Sequence, residues 1–440
     1  MNVRLVQASW ADRRKRCALG IAVLLFSAAP GAALAQPVAC IAEGTPAGRI
    51  AEHLVAAAQA GPLAANVGDR WDRTATDGSG ISRGEPITLT WSVVPDGTAI
   101  DGAPTVGDGS DPSDLRAFLD NHYGNFATWS SIVQAALDGW SDGPGVTFVY
   151  EPNDDGLKLS SAQGVDGVRA DIRIGGHNID GNFGTVAYAF FPGGGGDMVI
   201  DTADTFNTNQ SRLHNVVAHE AGHSIGLGHT CPSDSTKLME PVITLAFAGP
   251  QFDDLLGAHR NYGDEQEEND VVSESADLGL AIDSVTNVTG LALDGTGDDD
   301  WYEVPAGSLT EVLIQLDPAG TPYPLSIPTG ASCPGGTQPT YDPRDIQDLV
   351  VSVYDFDGTT LLASSDAAGI GSGETLDDVR LSTFGGYIEV TNGGGVNDAQ
   401  AYDIQVTLVP EASTTALRAT ALLVIAALAH AARRRSVAPR

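Results

Sequence analysis

The chain has 440 residues, of which 42% are hydrophobic and 18% charged, with 52 glycines and 24 prolines. This length favours two domains, and this composition favours strands and turns over long surface helices. Ten of the 23 basic residues lie at 1–35 or 413–440, so residues 36–412 hold 13 basic and 56 acidic side chains and a formal net charge of −43. Such an acidic chain excludes nucleic acid as an expected partner.

The first 35 residues have the pattern of a secretory signal peptide. A basic run at 13–16 precedes an apolar run at 18–29, and Ala33 and Ala35, on either side of Leu34, provide a small-x-small cleavage site before Gln36. We therefore expect the mature chain to be exported. An uncleaved membrane anchor is the alternative, although the apolar run is short for a span. Residues 36–84 are predicted to form an N-terminal segment and linker, with a helix at 51–60.

Residues 85–263 alternate between the periods of strands and helices. Seven apolar residues between 125 and 142 recur at helical spacing, which predicts an amphipathic helix, and a second helix is predicted to begin near Leu213. Content of β-branched and aromatic residues predicts strands at 87–94, 146–152, 170–176, 185–192 and 197–201. This mixture predicts an α+β fold for this part of the chain.

The stretch HEAGHSIGLGHT, beginning at His219, has the spacing of a metal site. On a helix, His219 and His223 lie on one face and can bind the same ion. Glu220 lies about 100° further around and can take a proton from a water that the metal activates. Gly226 can adopt the left-handed conformation that ends a helix, which would turn His229 back towards the ion. Three neutral imidazoles with an open fourth position are typical of catalytic zinc.

These positions read HExxHxxGxxH, and the chain here resembles the metzincin zinc metallopeptidases. Met239, in KLMEP, lies where metzincins carry the methionine of their Met-turn, and Thr230 is similar to the residue found there in the matrixin branch. VAYAFFP at 186–192 resembles the strand that binds substrate in matrixins, and FDDLLGAHRNYG at 252–263 resembles their closing helix. The resemblance covers about 85–263 and implies a metzincin-type domain, a twisted mixed sheet with long helices.

The resemblance also implies an activity, the hydrolysis of peptide bonds with one catalytic zinc bound by His219, His223 and His229. Glu220 would act as general base, accepting a proton from water and delivering it to the leaving amine. A protein or peptide substrate would lie extended along the strand at 185–192 by strand addition. The substrate and its side-chain preference stay open.

Departures from the vertebrate matrixins concern additional metals. Those proteins hold a structural zinc with two histidines near this strand, and the corresponding positions here are Tyr188 and Val199, which argues against a second zinc. Calcium is a candidate cofactor, with a solvated loop as the alternative. The candidate calcium ligands are Asp197, Asp201 and Asp204.

The cysteines and His177 carry little information. Cys40, Cys231 and Cys333 remain after the signal peptide, so at most one internal disulfide can form and its pairing is open. No PRCG-type cysteine switch precedes residue 85, and Cys40 lacks its flanking residues, so latency through a zinc-bound thiolate is not expected. His177, a lone loop histidine, is expected to be polar surface.

After residue 263 the character of the chain changes. The acidic run at 264–270 is predicted to be a solvated linker, and short strands separated by Gly, Asp and Asn turns predict an all-β sandwich at 271–408. The strands GTGDDDWYEV, LVVSVYDFDG and GGYIEV resemble those of bacterial pre-peptidase C-terminal domains, some of which bind calcium. Asp298 and Asp300 could serve in that way, although we expect them to be solvated turn residues.

Residues 409–440 resemble the PEP-CTERM sorting signal, with VPEAST, an apolar run at 421–432 and three arginines at 433–435. The resemblance implies a Gram-negative bacterium, transient membrane anchoring, processing by an exosortase and contact with an exopolysaccharide matrix. An ordinary C-terminal membrane anchor is the alternative.

Two functions are consistent with these patterns. The first is a secreted or cell-surface zinc endopeptidase. The second is a structural or binding protein of the cell surface or biofilm matrix, whose metzincin domain holds zinc but turns over little substrate. The intact Glu220 favours the first, because a domain without catalysis has no need of a proton acceptor beside the metal. Latency mechanism and oligomeric state stay open.

Overall fold

The computed structural model describes residues 38–41, 69–206, 209–326, 333–334 and 336–410. The predicted signal peptide, the predicted helix at 51–60 and the sorting tail beyond residue 410 lie outside these ranges. Within them, every helix is too short or too polar to cross a membrane.

Among the described residues, the first half contains eight strands and four α-helices. The strands are β1 (Val38–Ile41), β2 (Arg73–Thr74), β3 (Gly78–Ser79), β4 (Ile87–Val93), β5 (Val146–Tyr150), β6 (Ile172–His177), β7 (Thr185–Ala189) and β8 (Met198–Asp201). The helices are α1 (Leu115–Tyr123), α2 (Phe126–Asp138), α3 (Gln210–Ser224) and α4 (Phe252–Tyr262). All five predicted strands, the helix predicted at 125–142 and the helix of the histidine motif are present, within a few residues of their predicted bounds.

A six-stranded sheet in the order β1-β7-β8-β6-β4-β5 forms the centre of this half. Strands β4, β5, β6 and β8 are parallel, β7 is antiparallel to β8, and β1 is antiparallel to β7. Because parallel neighbours need a crossover connection, α1 and α2 lie between β4 and β5. The result is the mixed sheet with helices that the sequence predicts.

Helices α2 and α3 pack against each other on this sheet. The apolar positions of α2 are buried at the predicted helical spacing, and Trp140 beyond its end donates from Nε1 to the carbonyl of Ala218 in α3 at 2.8 Å. Helix α1 was not predicted from the sequence. It has only nine residues, and its burial depends on contacts with distant parts of the chain rather than on a long periodic pattern.

The second half, as far as it is described, consists of strands and one short 3-10 helix at Val272–Glu274. The strands are β9 (Ser284–Leu293), β10 (Asp300–Val304), β11 (Thr310–Pro318), β12 (Tyr323–Pro324), β13 (Thr340–Tyr341), β14 (Gln347–Asp355), β15 (Leu361–Ser365), β16 (Glu374–Leu381), β17 (Gly386–Gly395) and β18 (Gln400–Pro410). Two four-stranded sheets, β10-β17-β14-β15 and β16-β11-β18-β9, contribute to one buried apolar cluster. Its assignment as a pre-peptidase C-terminal-like domain stays a prediction.

The segment at 264–270, predicted as a solvated linker, is partly buried, and the expected exposure is wrong. Asp264 and Asn269 have no exposed surface. Asp264 accepts a hydrogen bond from the backbone N–H of Ala292 at 2.8 Å, and the Asn269 carbonyl accepts one from the N–H of Trp301 at 3.0 Å. These contacts could not be predicted from the charged composition of the segment, because the partner residues lie on β9 and β10, roughly thirty residues further along the chain.

Two other expectations about exposure also fail. Asp298 and Asp300, expected as solvated turn residues, are 7% and 0% exposed. Trp71, within the predicted N-terminal segment and linker, is buried in the core of the first half. It donates from Nε1 to the carbonyl of Ser224 at 2.8 Å, so this part of the predicted linker packs directly behind helix α3.

The disulfide that the sequence left open joins Cys231 to Cys333. Cys231 also exchanges two backbone hydrogen bonds with Ser326, at 2.8 and 2.9 Å. The bridge therefore fastens a segment of the second half to the chain just after the histidine motif. Cys40 is buried and free.

Candidate active site

Helix α3 carries the first part of the histidine motif and ends where the sequence predicts. Asn209 caps its start by accepting from the N–H of Arg212. At its end, Gly226 has a φ of +101°, and a Cβ there would lie 1.8 Å from the carbonyl oxygen of Asp69. Only glycine fits this conformation and this close approach. The chain can therefore reverse direction directly after the helix, which the predicted turn to His229 requires.

The three histidines of the motif meet at a single point. The Nε2 atoms of His219 and His223 are 3.1 Å apart, and each lies 3.2 Å from Nε2 of His229. Zinc–nitrogen bonds of about 2.0–2.1 Å in a regular tetrahedron separate neighbouring ligand atoms by about 3.3 Å. The nitrogen triangle therefore has the size that a tetrahedral zinc ion requires.

Second contacts orient two of these rings. His219 donates from Nδ1 to the carbonyl of Leu238 at 2.7 Å, and His223 donates from Nδ1 to the carbonyl of Leu227 at 2.6 Å. With the proton on Nδ1, the Nε2 lone pair of each ring points into the triangle. Burial lowers the pKa of His219 to about 4, and burial together with the charges of the neighbouring histidines lowers the pKa values of His223 and His229 well below the usual value. The rings are therefore neutral, as metal ligands must be, and the donor set fits a zinc ion.

Glu220 lies beside this triangle. It is fully buried, and burial raises its pKa to about 8, an effect that the neighbouring Cys40 thiol partly offsets. Apart from this thiol, its carboxylate oxygens have no hydrogen-bond partner among the described residues, which is unfavourable unless something else binds there. Its position next to the nitrogen triangle makes it the group best placed to accept a proton from a molecule at the open position.

Met239 lies under helix α3, as the motif predicts for a Met-turn. A Cβ at Gly222 would be 2.3 Å from its Sδ, so the glycine in HEAGH makes room for the methionine. Asp254 holds the turn by accepting from the N–H of Leu238 at 2.8 Å and from that of Met239 at 3.0 Å. Since the Leu238 carbonyl orients His219, Asp254 acts on the site through the turn.

Asp254 was missed by sequence reasoning, although a signal was present. It is the third residue of α4 and forms a capping box with Gln251, a pattern that can be recognised in the sequence. Tyr262, at the other end of α4, was noticed only as part of a family pattern. Its hydroxyl donates to the carbonyl of Ile225 at 2.9 Å and thereby holds the end of the metal-binding helix.

Strand β1 pairs with the outer side of β7, the strand that the sequence assigns to substrate binding. The pairing is antiparallel and places Cys40 opposite Ala187. Cys40, His219 and Glu220 each present one side-chain atom within 4.8 Å of the others. Strand pairing therefore brings the Cys40 thiol next to the site although the PRCG motif is absent, a contact that the sequence did not predict.

The three predicted calcium ligands do not come together. Asp197 accepts from the N–H groups of Ser160 and Arg173 at 2.7 Å each. Asp201 and Asp204 lie apart from it, near a further carboxylate: the N–H of Asp180 donates to Asp201 at 3.3 Å, and the charge of Asp180 raises the pKa of Asp204 beyond the effect of burial. Calcium at Asp201 and Asp204 stays a prediction, and Asp197 serves a separate hydrogen-bond network.

His177 is not a surface residue, contrary to expectation. It is 2% exposed on β6, where Nε2 lies 2.8 Å from a carboxylate oxygen of Asp108 and Nδ1 lies 2.6 Å from the carbonyl of Asp111. The other Asp108 oxygen accepts from the hydroxyl of Tyr188 at 2.7 Å. Tyr188 therefore takes part in a closed polar network where the vertebrate matrixins carry a zinc ligand.

Comparisons with known proteins agree with this geometry. Residues 121–263 match the matrixin family model. The match includes the histidine motif, Glu220 and the closing helix, and it supports a zinc metalloendopeptidase domain of the matrixin class in this part of the chain.

Curated relatives cover the same region. The interstitial collagenase of Bos taurus is 33% identical over 172 residues, which is 36% of this chain and 34% of that protein. Matrix metalloproteinase-20 of Homo sapiens is 34% identical over 148 residues, 30% of this chain and 27% of that protein. Karilysin of Tannerella forsythia is 30% identical over 160 residues, 34% of this chain and 32% of that protein. The chain thus spans about a third of the length of these relatives.

Among solved structures, one of myroilysin is similar at 14% identity and a TM-score of 0.19, covering 45% of this chain and 64% of that one.

Proposed function

We propose that the protein is a zinc endopeptidase that hydrolyses peptide bonds in protein or peptide substrates. The observation that carries this proposal is the triangle of three neutral imidazole Nε2 atoms beside the buried carboxylate of Glu220. The match of residues 121–263 to the matrixins supports the same conclusion.

A zinc ion bound by His219, His223 and His229 would supply a Lewis acid that polarises the scissile carbonyl and acidifies water. The chain supplies the remaining chemistry. Glu220 accepts a proton from the attacking water and later delivers it to the leaving amine. The Nδ1 bonds of His219 and His223 keep their lone pairs on the metal side throughout.

The substrate would bind as an extended strand along β7. Without β1, this antiparallel strand would be the edge of an otherwise parallel sheet. Its outer side forms hydrogen bonds with β1. A substrate that replaces β1 would gain the same backbone bonds, the mode known as strand addition. Its scissile bond would then lie near the place that Cys40 takes.

We infer that the conformation with β1 on β7 is latent. The chain's own N-terminal segment occupies the side of β7 at which the substrate would bind, and Cys40 lies beside the catalytic group Glu220 and the ligand His219. Activation would require release of the site from the Cys40 thiol, either by removal or displacement of the segment that contains β1 or by loss of the thiol itself. The Cys40 thiol then has a function that the sequence alone did not suggest.

The catalytic proposal is tested with purified chain 36–410 carrying Cys40→Ser, so that latency does not mask activity. We expect cleavage of casein and of a quenched peptide library. Adding Glu220→Gln should lower the rate by roughly 10²- to 10⁴-fold while one zinc per chain is retained. Glu311→Gln, on β11 of the second half, is the matched control. A Cys40→Ser chain that binds zinc but cleaves neither substrate would favour the structural or matrix-binding alternative.

Latency is tested by comparing wild type with Cys40→Ser, before and after treatment with a thiol-modifying reagent. Cys231 and Cys333 are bonded to each other, so Cys40 is the target among the described residues. We expect wild type to gain activity on modification and Cys40→Ser to be active without it. Equal activity of the two untreated chains would contradict latency.

We also propose, from the sequence patterns, that the protein is exported and that an exosortase processes its tail at the cell surface. An exopolysaccharide matrix would be a partner there, and calcium at Asp201 and Asp204 a second cofactor. Mass spectrometry of the protein from the culture medium of its host should find Gln36 as the first residue and the tail beyond 410 removed. An intact tail in the released protein would contradict processing.

A further inference from the structure

One strand pair of the second half, β12 with β13, is joined to the chain just beyond the histidine motif. Cys231, two residues after His229, exchanges backbone hydrogen bonds with Ser326 at 2.8 and 2.9 Å, and Ser326 lies two residues after β12. The sulfur of Cys231 is also bonded to that of Cys333. Contacts from the second half therefore reach the chain within two residues of a metal ligand.

Tyr323, the first residue of β12, contacts the first half at two points close to the Met-turn. Its hydroxyl donates to Oδ1 of Asp253 in α4 at 2.5 Å, and Nζ of Lys237 lies 5.7 Å from the centroid of its ring. Both partners are 3% exposed, so their charges are costly to bury without such contacts. Burial and the carboxylate of Asp253 raise the pKa of Tyr323, so the phenol keeps its proton and can donate.

A short path of contacts leads from this phenol to a metal ligand. Asp253 and Asp254 are consecutive residues in the first turn of α4, so a shift of one moves the other. Asp254 accepts from the N–H of Leu238 at 2.8 Å, and the carbonyl of Leu238 accepts from Nδ1 of His219 at 2.7 Å. Metal sites need their ligands held within about 0.5 Å of the productive geometry, so the position of Asp253 matters to the site.

Helix α4 as a whole lies between the two halves of the chain. Ala258 and Tyr262 pack in the core of the first half, whereas Leu256 belongs to an apolar cluster formed mainly by residues of the second half. Arg260 forms a buried ion pair with Asp398 of the second half. The second half therefore fixes one side of the helix that supports the Met-turn.

Tyr341 provides an internal comparison for Tyr323. The two residues are partners in the β12–β13 pair, and their ring centroids are 5.5 Å apart. The Tyr341 hydroxyl is buried, but it has no hydrogen-bond partner among the described residues. Removing each hydroxyl in turn therefore separates the effect of the bond to Asp253 from the effect of packing in the strand pair.

We propose that Tyr323 is a positioning residue for the zinc site, so that the second half is a working part of the peptidase rather than an independent module. Tyr323 acts through Asp253 and Asp254 on the Met-turn and on the ring of His219. This inference rests on the proposed zinc peptidase function. Zinc affinity can be measured without turnover, so the two can fail separately.

The test compares Tyr323→Phe with Tyr341→Phe in chain 36–410 carrying Cys40→Ser. Zinc affinity is measured by competition with a chelator at 25 °C, with Glu220→Gln added to prevent self-cleavage. Tyr323→Phe keeps the ring beside Lys237 but loses the bond to Asp253, and we expect zinc affinity to fall by about three- to tenfold. In chains with Glu220 intact, kcat should fall by a similar factor with KM unchanged. Tyr341→Phe should match the parent in all three quantities.

A double-mutant cycle tests the path itself. If Tyr323 acts through Asp254, zinc affinity in Tyr323→Phe with Asp254→Asn should be close to that of Asp254→Asn alone, because neighbours in one network are not additive. Urea titrations verify that every variant is folded at 25 °C. Independent effects of the two substitutions would overturn the proposal.

Equal losses in Tyr323→Phe and Tyr341→Phe would assign the effect to packing and also overturn the proposal, as would unchanged zinc affinity in Tyr323→Phe. Absence of zinc binding by the parent would contradict the proposed function, and this inference with it.

Discussion

The two candidate metal sites of this chain are built in opposite ways. The histidine site takes all three ligands from 11 consecutive residues, on one helix and the turn that follows it. The acid site consists of Glu267, Asp298 and Asp300, each of which presents one oxygen atom within 4.8 Å of the others. These residues come from a linking segment and from a turn in the other half, and calcium is the ion expected there from the resemblance to pre-peptidase C-terminal domains. The first is specified by local spacing and a single glycine, and the second exists only when the two segments are packed together.

The sites also differ in charge before any ion binds. Neutral imidazoles can be buried side by side, and the Nδ1 bonds of His219 and His223 hold their rings in place. Carboxylates repel, and no ion pair among the described residues includes Glu267, Asp298 or Asp300. We therefore expect the histidine site to be preorganised without metal and the acid site to tighten only with its cation.

The largest expected effect comes from breaking the two sites separately. In the Cys40→Ser chain, His223→Ala should remove the bound zinc and lower peptidase activity by more than the roughly 10²- to 10⁴-fold expected for loss of the base alone. The rise in unfolding temperature on adding calcium, which is the effect expected of the acid site, should be unchanged. Asp300→Asn should do the reverse, abolishing the calcium effect while zinc content stays at one per chain. Zinc by mass spectrometry and thermal unfolding in both variants check this.

If His223→Ala also abolished the calcium effect, the sites would be coupled and the contrast between local and assembled sites would fail. Asp299→Asn, which alters the acid between Asp298 and Asp300, serves as the control in the same experiment.

The same contrast explains what could be predicted from the sequence. The strands at 87–94 and 185–192, helix α3 and the turn at Gly226 follow from periodicity and from glycine's conformational freedom. The histidine site was therefore predictable residue by residue. What could not be predicted involves contacts between distant segments: β1 on β7, the burial of Asp264, and the Cys231–Cys333 bridge.

The acid site shows why composition misleads in such cases. Seven residues that include five acids at 264–270 are typical of a solvated linker, and only the positions of β9 and β10 reveal the buried face of this segment. Asp254 is intermediate, because its capping box is local but its hold on the Met-turn depends on a loop 15 residues earlier. Interactions between residues close in sequence, such as a capping box, can be predicted from one sequence, whereas the distant residues that they contact in the fold cannot.

Removing the disulfide should have the next largest effect. The bond closes a loop with a sequence separation of 102 residues, and loss of such a constraint typically costs about 2–5 kcal/mol. Cys231→Ser with Cys333→Ser should lower the free energy of unfolding by that amount in urea titrations. Because the histidine site is local, zinc content should stay at one per chain at 25 °C. Cys40→Ser, which removes a thiol but no bridge, is the control; loss of zinc from the folded double variant would show that the bridge shapes the site.

The smallest expected effect concerns Asp254, and it tests how local the histidine site is. Burial, and then the neighbouring Asp253, raises the pKa of Asp254 to about 7 in the folded chain, against about 4 when unfolded. Between these values the unfolded state has lost its proton and the folded state has kept it. The stability that Asp254 contributes is therefore complete below about pH 4 and is lost as the pH rises to about 7.

Asp254→Asn keeps the size of the side chain and removes its titration. It also replaces one of the two accepting oxygens with an amide NH₂ group, which cannot accept the hydrogen bond from the N–H of the Met-turn. Wild type should be more stable than the variant by about 1–3 kcal/mol near pH 5, and this difference should shrink towards pH 7. Urea titrations of the zinc-free proteins across this range measure it, with Asp283→Asn, an exposed acid, as control. Zinc affinity should fall about tenfold, because the Leu238 carbonyl that orients His219 is less firmly held. An unchanged zinc affinity would mean that helix α3 and its turn alone specify the site.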